Sequence, residues 1–142
     1  MLRRLIDVLD ETRHDMDELL NAAFFVLHTT WIAFTCLGWI WRVTRPWHLS
    51  AAVLTALSWV GLGMLYGWGY CPCTDWHWQV RARLGYQDPP SYTQVLISEL
   101  TGVSLSSVVA DTLTVGTLAV VTVLGVVLNL RDRRRATTRM RS

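Results

Sequence analysis

The densest set of reactive side chains is the run Cys71-Pro72-Cys73-Thr74-Asp75-Trp76-His77. Two thiolates and an imidazole suit a soft or borderline metal, so Cys71, Cys73 and His77 form a candidate metal set. No fourth ligand stands beside them, and the cysteines lie closer than the gap of about two to four residues usual in such sites. The same thiols can do redox work. A disulfide between residues two apart closes a small, strained ring, which makes it labile rather than structural. Plain interfacial structure is the third reading of the run. Cys36 lies in an apolar stretch and reads as a small buried hydrophobe.

Two further candidates are ionisable residues inside otherwise apolar runs. His28 is about 14 Å and Asp111 about 9 Å from the same expected helix ends, taking about 1.5 Å per residue. Their depths let them meet as an intramembrane polar pair, since an isolated charge there costs several kcal/mol. Such a pair serves a proton relay or ligand site, or simply an interhelical hydrogen bond that sets register. His14 and His48 fall near helix ends and are expected at the interface. Gly63 and Gly67 have the small-xxx-small spacing of close helix packing. Sequence motifs for catalysis or cofactor binding are lacking. The chain has no Lys for a phosphate loop, no G-x-G-x-x-G, no Ser-His-Asp order and no zincin helix.

The elements that must carry these residues follow from charge distribution. Of 142 residues, 51% are apolar and 17% charged, against about a quarter charged in soluble domains. No Asp, Glu or Arg occurs between Glu18 and Arg42 or between Arg45 and Asp75, and Asp111 is the only one between Glu99 and Arg131. A soluble helix needs a polar face that these stretches lack. Three cysteines and long apolar runs exclude a disulfide scaffold, and eight Trp with abundant Leu and Val exclude a disordered chain. The fold class is therefore an all-α polytopic membrane protein. Three spans are expected at about 19–41, 48–70 and 105–130 within one transmembrane domain, 19–130. The first apolar run is too long, and too acidic on its N-terminal flank, for a cleaved signal peptide.

Trp39, Trp41 and Trp47 mark one interface, and Trp68, Tyr70, Trp76 and Trp78 the other. Eight of the 13 Arg fall in the first turn and the C-terminal tail, against five on the opposite side. The positive-inside rule then puts the N-terminus outside and the C-terminus in the cytoplasm.

Residues 1–18 carry three Arg against six carboxylates, with Leu2, Leu5, Ile6 and Leu9 at helical spacing. They are expected to be an amphipathic or disordered extension, with Met16 an alternative start. The outer loop, 71–104, is expected to hold two short helices lying over the bundle. The first is capped by Thr74 or Asp75, ends at Gly85, and gathers Trp76, Val80 and Leu84 on one apolar face, leaving Arg81 and Arg83 for water or headgroups. The second runs from Tyr92 to Leu100 behind a Ser91–Gln94 capping box and stops near Gly102. The basic tail, 131–142, is expected to anchor on anionic headgroups through Arg131, Arg133, Arg134 and Arg135. Without aromatic residues among its charges it does not point to nucleic acid.

The runs Tyr66-Gly67-Trp68-Gly69-Tyr70-Cys71-Pro72, Thr74-Asp75-Trp76-His77-Trp78 and Gly85-Tyr86, with His28, Gly38-Trp39 and Trp59, resemble a family of bacterial membrane proteins, domain of unknown function 2784. The resemblance spans roughly Leu19 to Leu130. It implies a small multi-span protein of the bacterial inner membrane with no assigned activity, and members that begin near the position of Met16. It also implies an apolar residue where Cys73 stands, which makes a two-cysteine site peculiar to this chain. The function expected is that of a non-enzymatic accessory or structural subunit, with the bilayer and other membrane subunits, or itself, as partners. The alternatives are an extracytoplasmic thiol or metal module at Cys71, Cys73 and His77, and a small transporter or proton-handling protein at His28 and Asp111.

Overall fold

The computed structural model describes residues 1–139. Among them the regular structure is entirely helical: α1 (Leu2–Leu37), α2 (Arg45–Tyr66), α3 (Pro72–Arg83), α4 (Tyr92–Thr101) and α5 (Ser107–Arg139). Helices α1, α2 and α5 are long and apolar enough to cross a membrane, with window mean hydropathies of 1.5, 1.6 and 2.2. Even α2, at 22 residues, reaches about 33 Å, more than a hydrocarbon core of about 30 Å. No more than 17% of any of these windows is buried within the chain. Val26, Leu27, Leu54, Val115 and Val123 are among the apolar side chains facing outward. That is the pattern of helices solvated by lipid or by other helices rather than by water.

Helix α2 packs on α5, and α3 lies along α1. Helix α4 packs on α5, with Thr93 and Thr114 sharing a hydroxyl hydrogen bond of 2.8 Å. The α1–α2 turn is tied by side chains. Thr44 donates to the Gly38 carbonyl at 2.6 Å, Arg45 Nε to Trp39 O at 2.9 Å, and Trp39 Nε1 to Cys36 O at 2.8 Å. These bonds end α1 at Leu37, four residues short of the expected limit at Trp41. Helix α2 widens to π geometry over Ser58–Leu62, a distortion that one extra residue per turn produces.

Several expectations are corrected. Helix α1 runs unbroken from Leu2, so residues 2–18 are helical and continuous with the first long apolar helix. Helix α3 opens at Pro72 with Cys71 as N-cap, not at Thr74 or Asp75; proline lacks the N–H that a first turn leaves unpaired anyway. Ser91 is the N-cap of α4, but the capping box does not form: the Gln94 backbone N–H bonds the Ser91 carbonyl at 3.1 Å, and the Gln94 side-chain amide donates to Leu105 O at 2.9 Å. Gly63 and Gly67 do not share a packing face. Gly67 lies beyond the end of α2 with φ +110°, conformational space that suits glycine, and Gly63 backs onto the Trp68 backbone. Gly102, at φ 71°, does stop α4 in the left-handed conformation expected there. Met140, Arg141 and Ser142 lie outside the described residues.

Candidate functional site

The site is built where α3 crosses the middle of α1 and meets the start of α4. Positions 73, 77, 80/81 and 84 recur at helical spacing on α3, and His77, Val80 and Arg81 are its buried residues. Trp76, expected on one face with Val80 and Leu84, is instead 58% exposed while Val80 is buried. His77 has no exposed surface. Its Nε2 lies 2.8 Å from Asn21 Oδ1, and Arg81 Nη1 reaches the same oxygen at 3.4 Å. The Arg81 guanidinium can only donate, which marks the shared atom as the amide oxygen; Nε2 then carries the proton and Nδ1 is a bare acceptor. Nδ1 is buried without a partner among the described residues.

Aromatic rings enclose the imidazole. Phe24 stacks on it at 5.7 Å between centroids, and Trp78 and Tyr92 lie tilted at 5.5 and 5.9 Å. His28 stacks on Tyr92 at 4.0 Å, and its Nδ1 and Trp78 Nε1 are also buried without partners among the described residues. The Tyr92 hydroxyl bonds Thr29 Oγ1 at 3.0 Å and donates to Phe25 O at 3.2 Å, which fixes α4 to α1.

Charged groups clamp the edge. Arg81, expected in water, is buried because Asp88 accepts its Nε at 2.7 Å, and its guanidinium lies 4.1 Å over the Tyr86 ring. Arg83 grips Asp17 through Nε at 3.0 and 3.1 Å and Nη2 at 2.7 Å. The Arg83 hydrogen bond holds the Asp17 carboxyl below its usual range. Burial, then the Arg81 charge, pushes the His77 imidazole down, keeping it neutral at neutral pH. Burial, then the neighbouring Cys71, pushes the Cys73 thiol up, the reverse of what a reactive thiolate needs.

The candidate residues therefore separate. Cys36, Cys71 and Cys73 are free thiols. Cys73 and His77 stand one turn apart on α3, but Cys71 precedes the helix and His77 Nε2 is taken by Asn21. Among the described residues no three His, Cys, Asp or Glu side chains are placed to hold a metal ion. His28 meets Tyr92 rather than Asp111; the latter is exposed on α5 and makes no hydrogen bond or ion pair among the described residues. The expected polar pair does not form: the Tyr92 ring covers His28, and Asp111 faces outward.

At the opposite end lies a histidine that hydropathy misplaced. His48, expected at the interface, is fully buried between α1 and α5. Its Nε2 donates to Thr35 O at 2.8 Å. A Cβ at Gly125 would sit 3.0 Å from the ring, and one at Gly38 would be 3.1 Å from His48 Cβ and 2.7 Å from Phe34 O. The only hint in the sequence was glycine at 38 and 125 inside or beside apolar helices. Below it, Asp132 ties α5 to the α1–α2 turn and the start of α2, 3.0 Å from Arg42 Nη2 and 2.7 Å from Arg45 Nη1.

The family model described as Protein of Unknown function (DUF2784) matches residues 18–130, most of the chain, and the protein belongs to that family. No curated protein and no solved structure matches it.

Proposed function

We propose that this member of the family is a non-enzymatic accessory subunit that joins a larger membrane assembly through the outer face of α5. The observation that carries this is Asp111. It stands four residues into α5, about 6 Å along the axis. It is exposed, without a partner among the described residues, on the side that also presents Val108, Thr112, Val115 and Ala119. Gly116 is open to its surroundings on the same outer surface. A carboxylate facing hydrocarbon costs several kcal/mol unless paired, and small neighbours let another backbone come close. The occupant is a transmembrane helix of a different chain carrying a basic or hydrogen-bond-donating side chain.

Extraction of the full chain from native membranes in mild detergent is expected to yield a stoichiometric partner. Asp111→Asn should weaken that association while leaving the thermal midpoint of the isolated chain unchanged. A lone, stable monomer from the wild type contradicts the proposal.

The membrane assigned is a bacterial inner membrane, with α3 and α4 on the extracytoplasmic side, and the excess of Arg at the Asp132 end supports that orientation. In a cysteine-free background, an impermeant maleimide should label Gln87→Cys on intact cells and Thr137→Cys only after permeabilisation. The reverse pattern inverts the orientation.

A further inference from the structure

The basic end of the molecule holds a pocket of about 200 Å³ between the α1–α2 turn and the C-terminal part of α5, lined by Arg42, Arg45, Leu128, Arg131, Asp132 and Arg135. Four guanidinium groups face one carboxylate. Asp132 is already engaged by Arg42 and Arg45. Arg45 is also held by its turn, since its Nε donates to Trp39 O and its side chain is 15% exposed. Its fork is therefore set before any ligand arrives. Arg131 and Arg135 stand one turn apart on α5 and make no hydrogen bond or ion pair among the described residues. Their donors are unspent and the pocket keeps a positive excess. Arg133 and Arg134, expected to share the headgroup role, do not line it.

We infer that this pocket binds the phosphate group of an acidic phospholipid. Guanidinium forks match the paired oxygens of phosphate and hold them with charge-assisted bonds. The pocket lies where α5 leaves its apolar run, with Leu128 forming an apolar wall, Trp41 exposed in the neighbouring turn and Trp47 exposed at the start of α2. Headgroups lie at that level, and basic pockets between spanning helices recognise them. Asp132 acts as a positioning residue, holding Arg42 and Arg45 toward α5. The site is independent of the Asp111 face, at the other end of the same helix.

The test is native mass spectrometry of the purified full chain with phosphatidylglycerol or phosphatidylcholine added. The wild type should retain one phosphatidylglycerol per chain in preference to phosphatidylcholine. Arg131→Gln/Arg135→Gln should bind it about thirtyfold more weakly, and Arg133→Gln/Arg134→Gln should bind as the wild type does. Thermal melting of both variants separates loss of the site from loss of the fold. Competition by millimolar inorganic phosphate that is lost in Arg131→Gln/Arg135→Gln supports the phosphate site with the free anion as a second source. Equal retention of both lipids, or equal losses in the two double variants, overturns the inference.

Discussion

His77 and His48 sit at opposite ends of the bundle, and neither has exposed surface. Their surroundings differ in kind. His48 donates to a backbone carbonyl and fills a slot whose walls are glycine at 38 and 125. Its neighbours are shaped to admit it. His77 bonds a side-chain amide shared with Arg81 and lies among Phe24, Trp78 and Tyr92, next to the Arg81–Asp88 pair. One histidine is a packing pin between spanning helices. The other belongs to a polar and aromatic network that fastens a short helix to a long one, and its protonation is opposed by its setting. Residue type alone therefore says little about the role of a buried imidazole; the atoms facing it decide.

The most severe way to break this contrast is to fill the slot. Gly125→Leu forces atoms into a space where even a Cβ meets the His48 ring at 3.0 Å, and should cost about 3 kcal/mol or more. Gly116→Leu, with nothing within 4 Å of its Cβ position, should leave the thermal midpoint of the isolated chain in place. Equal effects of the two would remove the glycine slot from the account.

His77→Ala comes next. It opens a cavity and leaves Asn21 Oδ1 only the longer bond from Arg81, at a cost of about 2–3 kcal/mol by chemical denaturation in detergent. A double-mutant cycle with Asn21→Ala should show coupling, whereas additivity would deny the hydrogen bond a role.

A subtler distinction is acid sensitivity. Because the folded imidazole at His77 has its pKa lowered, the unfolded chain takes up the proton more readily. Its stabilising contribution is whole above the ordinary value of about 6.5 and is lost as pH falls below it toward the folded pKa. His77→Gln should flatten the stability profile in that window. The lowered carboxyls of Asp17 and Asp132 act further down, losing their contribution as pH falls below the usual carboxylate range. An unchanged slope between pH 6.5 and 5 in His77→Gln contradicts the assignment. The smallest effect is expected from Asp132→Asn at neutral pH, a shift in midpoint that added salt should erase.

The spans were legible because hydrocarbon leaves the backbone one solution, and Glu18–Arg42 and Arg45–Asp75 contain no other charge. Gly85 and Gly102 marked helix ends by the same local logic. What was hidden depended on partners distant in sequence. The amphipathic pattern of α3 could not show that Asp88 would draw Arg81 out of water, or that Asp17 would pair with the still exposed Arg83. His48 looked interfacial because only the approach of Gly125 reveals the slot. His28 and Asp111 were matched by depth, and depth carries no information about which helix face each occupies. The Arg131–Arg135 pair was read as part of a diffuse basic tail until the α1–α2 turn supplied Arg42 and Arg45 opposite it.

The subunit role stands most directly on what touches the outer face of α5. With a benzophenone amino acid in place of Val115, one turn from Asp111, irradiation of native membranes should give one discrete adduct with a second polypeptide, lost when Asp111 is replaced by Leu. Adducts to lipid alone, with no protein product, would contradict it.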